Sequence, residues 1–249
     1  MLSKSEVKYL KSLSKKKYRQ ENQQFIVEGY RCIKELLNSD KKIERIWVTE
    51  HFFHEHSDLK EKKYSIDFEF IEESDLIYIL NTKSPQDIMA LVSIEKKESS
   101  LKIGKTLILD NISDPGNMGT LLRTAAWYGI ENVFCSKNSV DIHNPKVVRS
   151  AMGAHFNINN LCQTKLIDII HNLKSRDYKI IAATLDGSSH KNFKINSNNW
   201  ALILGSEAHG IRKEIINNVD NKISIHSIGL IESLNVAVAG SIILDRLIN

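Results

Sequence analysis

Three short stretches hold the residues most able to do chemistry. The first, Asp110-Asn-Ile-Ser-Asp-Pro-Gly-Asn-Met-Gly119, joins an apolar run to a helical one. It combines turn chemistry at Asp114-Pro115-Gly116 with an amide at Asn117, close backbone approach at Gly119 and, further on, the guanidinium of Arg123. The second, Ala201-Leu-Ile-Leu-Gly-Ser-Glu-Ala-His-Gly-Ile211, runs from an apolar strand directly into Gly205-Ser206-Glu207 and Gly210. The third, Ile225-His-Ser-Ile-Gly-Leu-Ile-Glu-Ser-Leu-Asn-Val-Ala-Val-Ala239, sets Ser233 and Asn235 two apart at the mouth of an apolar helix. Ligands of open α/β sheets bind outside the carboxyl ends of the strands, which is where all three stretches fall.

Each stretch also has a plain structural explanation. Asp114 or Asn117 caps a helix that carries a surface arginine. Ser206 caps the next helix, with Glu207 meeting its dipole. Ser233 caps the last helix. Capping does not readily explain Asn235, because Asn is a poor helix former and a polar group there needs a partner.

The elements that must position these residues follow from periodicity. In the first part, helical periods lie at Ser5–Lys17, Tyr30–Leu37 and Ser74–Leu80, and strand-like runs at Phe25–Glu28, Ile43–Thr49, Phe68–Ile71 and Ile88–Ile94. The polar stretch Glu95–Ser100 reads as a linker, so a domain boundary is expected near 96–104. In the second part, strand-like runs at Thr106–Asp110, Asn132–Ser136, His155–Asn159, Lys179–Leu185, Trp200–Gly205 and Lys222–Ile225 alternate with helical ones. Those helices are expected at Met118–Tyr128, Pro145–Met152, Leu166–Leu173, Arg212–Asn218 and Leu234–Leu247. Five or six strands buried on both faces describe a mostly parallel sheet in an α/β fold.

Composition excludes much else. The chain has 249 residues, 42% hydrophobic and 26% charged, with 3 Pro and 11 Gly, which excludes disordered and collagen-like classes. No apolar run approaches the ~20 residues of a membrane helix, and the N-terminus lacks the apolar core of a secretory signal. Three scattered cysteines, Cys32, Cys135 and Cys162, form no CxxC pair; a reduced, cytoplasmic protein without structural zinc is expected. His51, His54 and His56 with Glu55 fit no standard metal spacing, so no metal is assigned. Residues 1–20 carry seven basic side chains against one acid, hence +6, which leaves −2 of the net +4 for the other 229 residues. Such an arm suits a polyanion, since lysine–phosphate contacts release counterions, and it equally suits a solvated helix.

Together, Asp114-Pro-Gly-Asn117-x-Gly119-x-x-x-Arg123-Thr-Ala125, Leu204-Gly-Ser-Glu207-x-x-Gly210 and Glu232-Ser-Leu-Asn-Val-Ala-Val-Ala239 resemble the three motifs of the SpoU (TrmH-like) RNA ribose methyltransferases. Asn144-Pro-Lys-Val-Val-Arg-Ser-Ala-Met-Gly153 and Ala182-Ala-Thr-Leu-Asp-Gly187 are similar to family segments too. Phe25-Ile-Val-Glu-Gly-Tyr-Arg31 resembles the small RNA-binding α/β domain that precedes the catalytic one in ribosomal-RNA members. The resemblance implies an RNA substrate-binding domain over 1–97 and, over 104–249, a trefoil-knotted, mostly parallel α/β methyltransferase domain. It implies a homodimer that transfers a methyl group from S-adenosylmethionine to a ribose 2′-hydroxyl of RNA, ribosomal RNA above all. A transfer-RNA substrate, or a non-catalytic RNA-binding protein that keeps the fold, are the rival expectations.

By the same carry-over, Asn117, Arg123, Glu207, Ser233 and Asn235 form the catalytic set. Gly205, Ile225 and Leu234 hold the donor largely through backbone groups, with Thr184 at the pocket wall. The cofactor supplies a reactive methyl and the protein supplies alignment. The hydroxyl must lose a proton, which family accounts give to Arg123. A guanidinium normally stays charged, so Arg123 is either deprotonated transiently beside an RNA phosphate or positions that phosphate and steadies the alkoxide. Glu207 then orients Arg123 or the Asn117 amide. Where family members usually carry Pro-Met after the motif-three isoleucine, this chain has His226-Ser227, a more polar wall for the donor's adenine side.

Overall fold

A computed structural model describes residues 2–60, 66–82, 84–95 and 103–249. The expected linker falls mostly on 96–102, outside the described residues. The chain forms two compact units, one from Met1–Glu98 with His143–Phe156, the other from Ser99–Ile142 with Asn157–Asn249.

The first unit opens with helices α1 (Lys4–Ser12) and α2 (Lys16–Asn22), followed by β1 (Gln24–Glu28), α3 (Tyr30–Leu37), β2 (Ile43–Val48) and α4 (Glu50–Glu55). After a 3-10 turn come β3 (Phe68–Phe70), α5 (Glu73–Leu80) and β4 (Ile88–Ser93). The strands lie in the order β1-β4-β2-β3, with β4 antiparallel to both neighbours and β3 parallel to β2. Because strand side chains alternate, Ile88, Ala90 and Val92 of β4 join the core around Ile33 and Leu36 of α3. Met89 and Leu91 face the opposite core, with Leu10, Leu13, Leu76 and Ile79.

The single helix expected over Ser5–Lys17 is two helices. The break puts Leu13 in the core, and buried Arg19 donates from Nη1 to the carbonyls of Leu13 (2.7 Å) and Ser14 (2.8 Å). Those carbonyls are freed where α1 ends, so a charge-assisted bond satisfies them. Arg19 is therefore structural, while Lys4, Lys8, Lys15, Lys16 and Lys17 remain exposed.

The second unit begins with β5 (Thr106–Asp110), α6 (Pro115–Trp127) and β6 (Asn132–Ser136). The chain returns to the first unit over His143–Phe156, which carries α7 (Pro145–Ala151) and most of α8 (Ala154–Asn157), and Val148 and Phe156 join that unit's core. The chain then continues through β7 (Asn160–Thr164), α9 (Leu166–Lys174), β8 (Lys179–Ser189), β9 (Trp200–Gly205), α10 (Lys213–Ile216), β10 (Asn221–Ser224) and α11 (Val236–Ile248). Six strands in the order β10-β8-β9-β5-β6-β7 pair in parallel throughout.

The expected strand at His155–Asn159 is instead α8, and the strand starts at Asn160. A buried aromatic in a short apolar run serves either element, and here Phe156 packs as helix. The true strand, Asn-Leu-Cys-Gln-Thr, lies at the sheet edge and is mostly half-buried, so it carries no apolar signal. Among the described residues, no helix is long and apolar enough to cross a membrane.

Candidate active site

All strands of the second sheet run the same way, so the ends of β5, β8, β9 and β10 share one edge. At the end of β5, Asp114 caps α6 by accepting from the Asn117 N–H at 2.8 Å, with Pro115 in the first turn. That cap fixes Asn117 one turn into the helix with its amide beside the edge.

After β9 the chain turns tightly back. Ser206 and Gly210 exchange backbone hydrogen bonds of 3.1 and 2.8 Å, and the Ser206 hydroxyl accepts from His209 N–H at 3.1 Å. A Cβ at Gly205 would overlap the main chain of Gly210 and Ile211, so only glycine fits. Ser206 thus shapes a turn and does not cap α10, which starts later, after Arg212.

The third stretch places Asn235, not Ser233, as the cap of α11. Asn235 Oδ1 accepts from the N–H groups of Ala237 (2.9 Å) and Val238 (3.3 Å). Its Nδ2 donates to Glu207 Oε1 at 2.8 Å and to Asn117 Oδ1 at 2.9 Å. Asn117 Nδ2 donates to the same Glu207 oxygen at 3.0 Å, and Val236 N–H does so at 3.1 Å. One carboxylate oxygen therefore gathers residues from three distant loops. Both amides are locked in orientation, and the helix α11 N-terminus stabilises the charge.

Of the expected catalytic residues, Asn117, Glu207 and Asn235 form this network. Arg123 and Ser233 are exposed and bond to none of the three. Of the two partners the sequence suggests for Glu207, the Asn117 amide is hydrogen-bonded to it and Arg123 is not.

Among the expected donor contacts, Gly205 ends β9 and Ile225 directly follows β10. Leu234 adjoins Asn235 and is partly exposed. Thr184 lies in a bulge of β8. Lys222 of β10 pairs with Ala182 but Ile223 pairs with Ser188, so residues 183–187 stand out of the ladder. Gly187 closes the bulge, since a Cβ there would meet the Ile223 backbone at 2.5 Å. Thr184 Oγ1 is buried without a well-formed hydrogen bond. Lys222, 3.0 Å away, and more weakly Thr184 hold the Asp186 carboxyl below its usual range.

Sequence reasoning missed Asp110, which is fully buried and bound to Arg212. Its only sequence signal is an acid ending an apolar strand. The histidines dismissed as metal ligands point to separate partners: His51 to Asp87, His54 to Glu50 and His56 onto the Phe52 ring. Burial pushes the Cys32 thiol up to about 11 and raises Cys135 and Cys162 too, so no described cysteine is a ready thiolate.

Residues 104–245, more than half of the chain, match the SpoU rRNA Methylase family. The chain belongs to that family. Residues 4–90 match an MRM3-like substrate binding domain. Among SpoU relatives, the 23S rRNA (guanosine(2553)-2'-O)-methyltransferase RlmP of Bacillus subtilis (strain 168) is 31% identical over 242 residues, covering 97% of this chain and 95% of the relative. A Porphyromonas gingivalis structure assigned to the TrmH family of RNA methyltransferases superposes with a TM-score of 0.87 at 32% identity, covering 99% and 98% of the two chains. The AdoMet-bound rRNA methyltransferase of Sinorhizobium meliloti, at 24% identity and TM-score 0.86 over 99% and 95%, shares the fold.

Proposed function

We propose that this chain transfers the methyl group of S-adenosylmethionine to a ribose 2′-hydroxyl of ribosomal RNA. The observation that carries the reading is the Asn117–Glu207–Asn235 network, assembled from all three family motifs at one sheet edge. The named activity of the Bacillus relative, aligned over nearly the whole of both chains, supports ribosomal RNA over transfer RNA.

The residues present suit the donor. Thr184 offers a buried hydroxyl without a well-formed hydrogen bond, and Gly205 and Ile225 lie at the carboxyl ends of β9 and β10, the two strands that flank β8. When bound, the donor supplies an electrophilic methyl on a sulfonium. Gly205, Ile225, Leu234 and Thr184 would hold it. Asn117 and Asn235, fixed by Glu207, present oriented amide dipoles toward the ribose, so that alignment needs no rearrangement during attack. Arg123 is exposed with no bond to the network, which supports a contact to an RNA phosphate and to the growing charge on the attacking oxygen. Ser233, also exposed, serves as a hydrogen-bonding group toward ribose or donor.

The first unit, matched to a substrate-binding domain, together with the lysine-rich α1–α2 surface, supplies most of the RNA grip in this reading. We assign a homodimer to the α6–α11 face. These helices are joined by Thr124–Ser241 (3.1 Å) and Tyr128–Asp245 (2.8 Å), yet Trp127 is 84% exposed and Val238 and Ile242 are exposed beside solvent. A trefoil knot and a cytoplasmic location complete the proposal by family analogy. The test is to incubate the chain with methyl-labelled S-adenosylmethionine and ribosomal RNA, then digest the RNA to nucleosides. A labelled 2′-O-methylnucleoside is expected; label on a base, or none, overturns the reading.

A further inference from the structure

Asp110 ends the central strand β5 with no solvent exposure. A buried carboxylate costs several kcal/mol unless it is paired and hydrogen-bonded. Its partner is Arg212, engaged twice over: the backbone N–H donates to Oδ2 at 3.0 Å, and Nε donates to Oδ1 and Oδ2 at 2.9 and 3.2 Å. Arg212 Nη1 also reaches Glu214 at 2.8 Å. Between Gly205 and Arg212 the chain makes the tight turn that carries Glu207. The β9–β5 ladder, in which Asp110 stands opposite Gly205, holds the start of that turn. The Asp110–Arg212 pair holds its end. The same carboxylate residue thus anchors both sides of the turn.

We infer that the Asp110–Arg212 pair is the latch that positions Glu207, and through it the Asn117 and Asn235 amides, for reaction. The inference rests on the methyl-transfer reading above. Three hydrogen bonds of 2.8–3.1 Å converge on one Glu207 oxygen, so a shift of the turn breaks all of them together. Gly205, by contrast, stays in the ladder when the latch opens. Catalysis and donor binding should therefore separate.

The test uses the full chain with Arg212→Gln, Arg212→Lys and Asp110→Asn. Since misplacement by about an ångström can cost ~100-fold, kcat should fall at least about tenfold in Arg212→Gln and Asp110→Asn. Donor Kd and the KM for RNA should stay within about threefold, and Arg212→Lys should restore part of the loss. The double variant should be no worse than the poorer single one, as expected for residues acting as a unit. Hydrogen exchange over 205–212 should quicken in both variants while the core of β5 stays protected. A kcat that merely follows melting temperature, a donor Kd that weakens in step with kcat, or unchanged exchange at 205–212 overturns the latch. The exchange measurement needs no turnover, so a wild-type chain that fails to methylate RNA defeats the functional reading alone.

Discussion

Glu207 Oε1 accepts three hydrogen bonds at once, which makes the neighbouring side chains separable by what each variant keeps. Asn235 has two tasks, capping α11 with Oδ1 and bridging Glu207 and Asn117 with Nδ2. Serine caps about as well as asparagine but has no second donor group. Asn235→Ser should therefore leave thermal stability nearly unchanged and still lose methylation, whereas Asn235→Ala should lose activity and about 1 kcal/mol of stability. Equal melting losses in both variants would mean the cap was not the stabilising part. Arg123 makes no bond to this network, so Arg123→Ala should abolish methyl transfer and leave donor affinity within a few-fold, as read by calorimetric titration. Turnover above about a tenth of wild type would remove Arg123 from the reaction.

Helix ends and turns decide the next scale. Gly205 would ordinarily be probed with a bulky side chain to block a donor pocket. The overlap of any Cβ with Gly210 and Ile211 means that even Gly205→Ala distorts the turn, so it should weaken donor binding and lower the melting temperature together. Unchanged melting would show that the turn can shift without cost. In the first unit, a capping box joins Ser3 and Glu6 at the start of α1. The Ser3 backbone N–H, and then Arg45, hold the Glu6 carboxyl down at about 2 from an ordinary 4.5. Arg45 lowers Glu69 likewise. A depressed folded-state pKa stabilises above the unfolded value and ceases to as the group protonates. The contribution should thus be complete above about pH 4.5 and lost on acidification toward pH 2. Melting curves over that window, with Glu6→Gln as the flattened reference, check the sign.

At the scale of the whole molecule, charge and assembly are the testable quantities. Lys15, Lys16 and Lys17 are exposed at the start of α2, and replacing all three with Gln should weaken RNA binding uniformly and reduce the salt slope by roughly 2–3. Donor affinity should not move. An unchanged slope would make the lysines a solvated surface and nothing more. Removing Met1–Glu98 alone is a poorer test, because Val148 and Phe156 would lose the core in which they are buried. For assembly, Trp127→Glu should convert the proposed dimer to monomer in sedimentation, since a charge cannot be buried there unpaired. A monomeric wild type would end that assignment.

Much of this protein follows from its sequence because the signals are local. The unbroken apolar runs Ile88–Val92 and Trp200–Leu204 and the Asp114-Pro115 helix start each determine their element within a few residues, whatever the rest of the chain does. The three motifs likewise single out Asn117, Glu207 and Asn235 from residue type and spacing alone. What tertiary structure decided are the facts that depend on partners far along the chain. The split of the first helix depends on where the Arg19 guanidinium lands, and the cap role of Asn235 on the backbone angle at the entry to α11. Phe156 is helical because the core of the first unit takes it, and Asp110 matters because Arg212, 102 residues later, returns to it. Hydrophobic period and capping chemistry act over one or two turns of chain, whereas a buried charge is stable only where the fold brings its counterpart.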